Sequence, residues 1–459
     1  MGEAGDAQIF RLRRTRYKRF IFARRGQNTP KFALVYHRTS NFNELLAVVT
    51  VPRPLEGTVV LDVSHVVAGP FCTMLLAHAG AEVIKVEPPV TGERSRSPGL
   101  TIDTSPDEPV SLQYIRVNRG KKGVTLSLRH ERGRALFRQL AAISDVVVEN
   151  FRPGAMRNLG LDYDGLKESN PRLIYATISG FGRRADLAGP YSDRAANNPS
   201  AQAMSGLMDV TGEPGGPPSL VGASIGDTIP GLWTAYAILL ALEQRRKTGQ
   251  GQFIDIAMYD CLVVHNDTAV PFFDLTGISP GREREDMWSA QIKLAASDGF
   301  VMMSGAVSPE KWAALWQAVG RPDLTIDSRY LGLKIDGPFF LREITPALEG
   351  WSQTRTRNEV CSLLLGIGFS AAAVQTAAEV YRCPHLAARS MFDEFEFVGK
   401  HFRQPSNPAK MTNVPHAPGA APPRLGQHNR EIFVDRLGLS EEELNGLYSD
   451  GTSSAPLAR

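Results

Sequence analysis

Between residues 58 and 178, short apolar runs alternate with stretches of helical spacing, and this alternation constrains the fold of the 459-residue chain more than any other feature. Thr58-Val-Val-Leu-Asp-Val63 reads as a buried strand, Ala68-Gly69-Pro70 as the turn after it, and Phe71 to Ala79 as a short helix that Gly80 ends. Ala81-Glu-Val-Ile-Lys-Val86 is strand-like again. A helix from Glu131 to Ile143 leads to a strand at Asp145-Val-Val-Val148, and a further strand, Leu173 to Ile178, follows a helix closed by Asn170-Pro171. Strand and helix in this order predict a parallel α/β sheet of the open, doubly wound type, with helices on both faces.

The second half repeats the pattern less regularly. Gly251-Gln-Phe-Ile-Asp-Ile256 reads as a strand leading into a helical Ala257-Met258-Tyr259-Asp260. Residues 271–286 are rich in Pro, Gly and charge, including Ser279-Pro280-Gly281-Arg282, and predict a crossing between domains. A smaller α/β unit is expected from the run Lys293 to Met303 and from helices at Trp312 to Val319 and Glu359 to Leu365. Gln404 to Pro423 holds six prolines and reads as an extended linker. A terminal helix pair follows between Asn429 and Tyr448, its last member opened by the capping box Ser440-Glu-Glu-Glu443. The expected organisation is an N-terminal extension over 1–54, a large domain over 55–270, a linker over 271–286, a small domain over 287–400, and a linker with helices over 401–459 that return to the large domain.

One carboxylate stands out. Asp227 lies between the strand-like run Leu220 to Gly226 and an apolar helical run beginning at Thr228, in which Leu232, Ala235, Ile238, Leu239 and Leu242 recur at helical spacing. Glu243-Gln-Arg-Arg-Lys247 closes that helix with mostly cationic residues, as suits a C-terminus. Asp227 is therefore expected to be the N-cap, ionised at neutral pH. Capping alone accounts for many such residues, so position by itself leaves the choice between cap and catalyst open.

Charge and cysteine content exclude several functions. A net charge of +3 is too small to argue for nucleic acid, and much of the excess lies in Arg11, Arg13, Arg14, Arg16, Lys18, Arg19, Arg24 and Arg25. Such an arm suits a nucleic-acid or membrane contact, an Arg-rich targeting sequence, or a disordered extension with no part in the fold; the last is the reading adopted. Cys72, Cys261, Cys361 and Cys383 form no CxxC pair and no Cys/His cluster, which argues for a reducing compartment and against a metal site. The apolar stretch from Ile229 to Leu242 reads as too short to span a bilayer. A cytoplasmic protein is expected, or a mitochondrial one if the basic arm is a presequence.

Six segments carry a resemblance: Leu61-Asp-Val-Ser-His-Val-Val-Ala-Gly-Pro70, Gly80-Ala-Glu-Val-Ile-Lys-Val-Glu-Pro88, Val148-Glu-Asn-Phe-Arg-Pro-Gly154, Ile178-Ser-Gly-Phe-Gly182, Gln202-Ala-Met-Ser-Gly206 and Lys247-Thr-Gly-Gln-Gly-Gln252. Taken in order, from about Leu55 to Gly451, they resemble the class III CoA-transferases, a superfamily that includes the formyl-CoA and carnitine CoA-transferases and the α-methylacyl-CoA racemases. The resemblance implies a Rossmann-like large domain, a smaller domain and two chains interlocked as rings. It implies an acyl-CoA and a carboxylic acid as substrates, no tightly bound cofactor and no metal. It also implies an Asp nucleophile in a Gly-Asp pair opening a helix, which falls on Gly226-Asp227. CoA contacts carry over onto His65, Val67, Ala68, Leu126, Arg129, Asn150, Phe151 and Arg152, with Asn197 and Asn198 on the substrate side. Arg119, Lys121 and Lys122 either form an exposed charged face or meet the CoA phosphates.

The departures from that pattern matter too. Formyl-CoA transferases have Gln in place of Val67 and an acid in place of Asn198, which argues against formyl-CoA and oxalate as substrates. Racemases place His beside Asp where this chain has Asn197-Asn198, and Glu where it has Ala295, whereas racemisation needs two bases on opposite faces of the α-carbon. A racemase-like enzyme and a non-catalytic acyl-CoA-binding homologue remain as alternatives. A nucleotide-dependent redox role lacks the G-x-G-x-x-G expected after the first strand.

Overall fold

In the computed structural model the described residues are 19–24, 31–36, 48–49, 51–96, 101–105, 108–283, 290–305, 308–332, 336–414 and 420–456. The chain separates into two compact units: 1–178 with 231–254 and 390–459, and 179–230 with 255–389. These cuts differ from the expected boundaries at 270 and 400. Residues 179–230, with Asn197, Asn198 and Asp227, group with the second unit, and the chain returns to the first at Ser390.

The first unit is built on strands β1 (Val59–Asp62), β2 (Glu82–Glu87), β3 (Lys122–Thr125), β4 (Val146–Glu149), β5 (Ile174–Ser179) and β6 (Gln252–Ala257). They lie in the spatial order β6-β5-β4-β1-β2-β3, and every pairing with a described register is parallel, for instance Leu61 with Ile84 on one side and with Val147 on the other. Each residue of β1, β4 and β5 is buried, as expected for central strands covered on both faces. The chain steps outward from β1 to β3 and then restarts at β4 on the other side of β1. That reversal makes the carboxyl ends of β1 and β4 the topological switch point, the place where open α/β sheets bind ligands.

Helix α1 (Ala68–His78) follows β1, and α2 (Glu131–Ala142) packs Leu136, Phe137 and Leu140 into the core with Leu61, Ile84 and Val147. Helix α1 begins three residues before the expected Phe71. Pro70 is tolerated in a first turn whose N–H groups have no intrahelical partner, so Ala68-Gly69-Pro70 is helical and the turn lies upstream of it. A hairpin of Phe392–Phe397 and Lys400–Pro405 and the helix Glu441–Ser449 complete this unit, the helix with the expected capping box of Ser440 and Glu443. In the basic extension, Arg19–Arg24, Lys31–Tyr36 and Val48–Val49 pair as antiparallel strands, so backbone pairing is present where the sequence predicts none. The remaining residues of 1–50 lie outside the described residues.

The second unit holds α3 (Asn198–Met204), the start of α4 (Ile225–Thr248), and α5 (Met258–His265). It also holds an antiparallel sheet of β7 (Ala290–Ala296), β8 (Gly299–Gly305) and β9 (Ser370–Ala373), in the order β7-β8-β9. Trp312, Trp316, Phe340, Leu348, Leu364 and Phe369 pack on that sheet around Ile292, Leu294, Val301 and Met303. The expected crossing at 271–286 begins inside a helix, Ala269–Thr276, because Pro271 falls in its first turn; residues 284–286 of it lie outside the described residues.

Helix α4 has 24 residues and is long and apolar enough to cross a bilayer, in contrast to the length expected from sequence. Ala235, Ile238, Ala241 and Leu242 are buried in the first unit, and Arg245 bonds Asp145 and the Arg172 carbonyl, so one face of α4 packs into that unit.

Candidate active site

Residues Val63 to Val67 join β1 to α1 at the switch point of the first unit. Asp62 at the end of β1 is fully buried, and its carboxylate accepts from Ser64 N (2.9 Å), Thr73 Oγ1 (2.6 Å) and Lys121 Nζ (2.9 Å), with Lys85 Nζ at 3.6 Å. Burial alone would raise this carboxyl. Lys121, Lys85 and the hydroxyls of Ser64 and Thr73 outweigh burial and hold it well below the usual carboxylate range. Lys85 also donates to the Ser64 carbonyl, so the turn rests on a buried, charge-compensated base.

Above that base the backbone is tightly bent. Val66 has φ +69°, a left-handed conformation that a β-branched residue rarely adopts, and its N–H donates to Glu93 Oε2 at 3.0 Å. A Cβ on Gly69 would come within 2.2 Å of Ser64 Cβ, so only glycine lets α1 start this close to the strand end. Asn150, just past β4, clamps the turn with two hydrogen bonds: His65 N donates to its Oδ1 (2.7 Å) and its Nδ2 donates to the His65 carbonyl (2.8 Å). The rings of His65 and Phe151 meet edge to face at 5.0 Å. Burial first, and then the Lys85 charge, pushes the His65 imidazole down to about 4, against the pull of Glu93, Asp62 and Glu87. His65 is neutral at pH 7, and its Nδ1 makes no hydrogen bond among the described residues.

The structure thus brings His65, Val67, Ala68, Asn150 and Phe151 together at the switch point. Val67 and Ala68 are buried, while Leu126 lies in the core cluster, Arg129 is exposed near the start of α2, and Arg152 is exposed beyond Phe151. The three cations considered for the CoA phosphates serve elsewhere. Arg119 pairs with Asp393 and the Pro405 carbonyl, Lys121 with Asp62, and Lys122 with Glu82 and Glu431. Position in sequence does not reveal that Arg119 and Lys121 are buried. The sequence reading also missed Ser64, Val66, Lys85 and Glu93; no sequence signal marks a valine at positive φ.

In the second unit Asn198, Gly226 and Asp227 come together. No strand forms over Leu220 to Gly226, because the Pro/Gly-rich approach through Pro214, Gly215, Gly216, Pro217 and Pro218 does not sustain a ladder. Helix α4 starts at Ile225, so Asp227 lies in its first turn and not at the N-cap. The Ser224 carbonyl accepts from Asp227 N (3.0 Å) and Thr228 N (2.9 Å). The Ser224-x-x-Asp227 spacing is the signal that would have given this start. An acid in the first turn still benefits from the positive end of the helix dipole.

Gly226 is buried, and its N–H donates to Asn198 Oδ1 at 2.8 Å. A Cβ there would meet Asn198 O at 2.7 Å, which explains a glycine before the acid. Asn197 serves α3 as its cap, its Oδ1 accepting from Ser200 N and Ser200 Oγ. Within the first unit, Gly231 of α4 lies against the start of α1, where a Cβ would meet Ala68 O at 2.6 Å and Phe71 Cδ1 at 3.0 Å. Among the described residues no group of His, Cys, Asp and Glu could hold a metal ion.

An acid set in the first turn of a helix suits nucleophilic acyl transfer, and comparison with known proteins decides the family. The CoA-transferase family III model matches residues 55–429. The chain belongs to that family. It is 36% identical to the succinyl-CoA:D-citramalate CoA-transferase of Chloroflexus aurantiacus over 412 residues, covering 86% of this chain and 96% of the relative. It is 33% identical to the formyl-CoA:oxalate CoA-transferase of Streptomyces coelicolor, covering 87% and 99%. A crystal structure of a CaiB/BaiF family protein from Brucella suis superposes with a TM-score of 0.74 at 32% identity, covering 84% of this chain and 99% of that one. This class III CoA-transferase has the α/β fold with a six-stranded parallel sheet that its relatives share, and its substrates are an acyl-CoA and a carboxylic acid.

Proposed function

We propose that this CoA-transferase works through Asp227, and that its donor is a dicarboxylic acyl-CoA. The observation that carries the reading is the half-buried Asp227 in the first turn of α4, next in sequence to a Gly226 that packs on Asn198 and admits no side chain. Attack of one Asp227 oxygen on the thioester carbon breaks the C–S bond, releasing CoA thiolate and leaving an aspartyl anhydride. The thiolate then attacks the aspartyl carbonyl, giving an aspartyl-CoA thioester and the free first acid. A second carboxylate reverses both steps and leaves as the new acyl-CoA. A carboxylate nucleophile keeps the acyl transfer potential throughout, which a serine ester would not. Water has to be excluded while the anhydride exists.

The turn at 63–68 is the proposed seat of CoA. It lies at the switch point, and the N-terminal turn of α1 carries no acidic side chain to repel phosphate. Asn197, committed as a cap, is not a racemase base.

Relatives named for succinyl-CoA and for citramalate, mesaconate or malate set the first arms of the test. Incubation with a panel of acyl-CoAs and acids, followed by mass analysis of the CoA products, should show succinyl-CoA consumed and a new dicarboxylic acyl-CoA formed. Transfer only from formyl-CoA to oxalate would contradict the substrate class.

A further inference from the structure

We propose that the side-chain amide of Asn198 is the hydrogen-bond donor to the acyl carbonyl oxygen as Asp227 attacks, a role that rests on Asp227 being the nucleophile. The argument is one of orientation. Gln202 is fully buried one turn along α3 from Asn198, and its Oε1 accepts from the Val221 N–H at 3.0 Å. A backbone N–H only donates, so the oxygen of this amide faces Val221, and its Nε2 is left to donate to Asn198 Oδ1 at 2.8 Å. Independently, the Gly226 N–H donates to the same Asn198 oxygen at 2.8 Å. Two donors, one of them backbone and the other fixed by backbone, therefore pin Asn198 with its oxygen inward.

A flipped Asn198 would set NH2 against N–H at Gly226 and against NH2 at Gln202, losing both bonds. The amide nitrogen is thus the outward atom. No hydrogen bond engages Asn198 Nδ2 among the described residues, and the residue is partly exposed beside the first turn of α4.

The chemistry needs such a group. When an Asp227 oxygen adds to the thioester carbon, the carbonyl oxygen takes up negative charge. That charge returns to re-form the carbonyl as the C–S bond breaks and thiolate leaves. A fixed amide donor stabilises the oxygen in both directions of transfer without giving up a proton. It also adds no second negative charge beside Asp227, as a carboxylate at position 198 would. Asn198 is in this account a residue that touches the reacting oxygen, and Gln202 is a positioning residue behind it.

The test uses Asn198→Asp and Asn198→Ala in the full-length protein. Exchange is followed between an acyl-CoA that the wild type turns over, succinyl-CoA first, and its own 13C-labelled acid. Asn198→Asp keeps an acceptor for Gly226 and Gln202 but lacks the donor. It should fold with an unchanged circular dichroism spectrum, lose about 10²–10³-fold in kcat, and keep KM within about threefold. Asn198→Ala should lose kcat to a similar degree, and it carries the test should the Asp variant fail to fold. Exchange within threefold of wild type in either variant overturns the inference. Hydroxylamine trapping in Asn198→Asp separates the two claims. A hydroxamate at Asp227 with reduced kcat supports the donor role, and one at Asp227 with full kcat overturns the donor role alone. A hydroxamate at position 198 overturns the donor role and, when wild-type Asp227 is unlabelled, the nucleophile assignment as well.

Discussion

Single residues carry the site, and their neighbours decide what each of them does. Gly226 is the clearest case, since a methyl there would lie 2.7 Å from the Asn198 carbonyl oxygen, a backbone atom that cannot swing aside. Gly226→Ala should therefore cost about 1–3 kcal/mol in urea denaturation and at least tenfold in kcat. Wild-type values for both would show that the Asn198–Gly226 contact is dispensable. His65 gives a pH dependence. Its native imidazole titrates near 4, below its ordinary 6.5, so between these values the unfolded chain binds a proton that the native protein does not. Stability should fall as pH drops through that window and be restored above about 6.5. The urea midpoint of His65→Asn should fall less between pH 7 and pH 5 than that of the wild type; equal falls would contradict a buried neutral imidazole. Asp227 was legible in the sequence as a lone acid at a helix start, and Asn198 only as a departure from a family pattern. Their junction through Gly226 and Gln202 was not legible, because it joins residues 19 to 28 positions apart through two amide orientations.

At the scale of elements, the buried strands were the most legible part, because β1, β4 and β5 are largely apolar runs and β2 carries Val83, Ile84 and Val86 among its charged residues. Helix starts were read less well. For α1, Pro70 looked like a turn but occupies a position whose missing N–H costs nothing, and for α4 the Ser224-x-x-Asp227 start was overlooked in favour of a cap at Asp227. These shifts move the turn after β1 to Val63–Val67 and place Asp227 inside the helix. The contact that follows is between α4 and α1, through Gly231 and Ala68. Gly231→Ala gains helix propensity of about 1 kcal/mol at most, yet its methyl would meet a backbone oxygen at 2.6 Å. The steric cost should win, lowering stability by about 1–2 kcal/mol and raising KM for acyl-CoA severalfold while kcat changes less. An unchanged KM would detach this contact from CoA binding.

For the whole molecule, the order of strands and helices predicted a doubly wound sheet, whereas the division into units depends on contacts that no local pattern encodes. One surface of the first unit calls for a partner. Leu232, Tyr236, Leu239 and Leu240 are 45–55% exposed and fall on one side of α4, between residues of the same helix that are buried. We propose that a second copy of the chain covers this stripe, in keeping with the interlocked dimer that the family resemblance implies. Light scattering should give a dimer that does not yield folded monomer on dilution; a monomer peak with unchanged melting would contradict it. The central claim, that CoA transfer runs through a carboxylate, is tested most directly by trapping. Wild-type protein turning over acyl-CoA in the presence of hydroxylamine should carry a hydroxamate at Asp227, located by peptide mass. Asp227→Ala should carry none, lose turnover, and bind acyl-CoA within about tenfold of wild type. A label on another residue, or turnover retained in Asp227→Ser, would contradict the account.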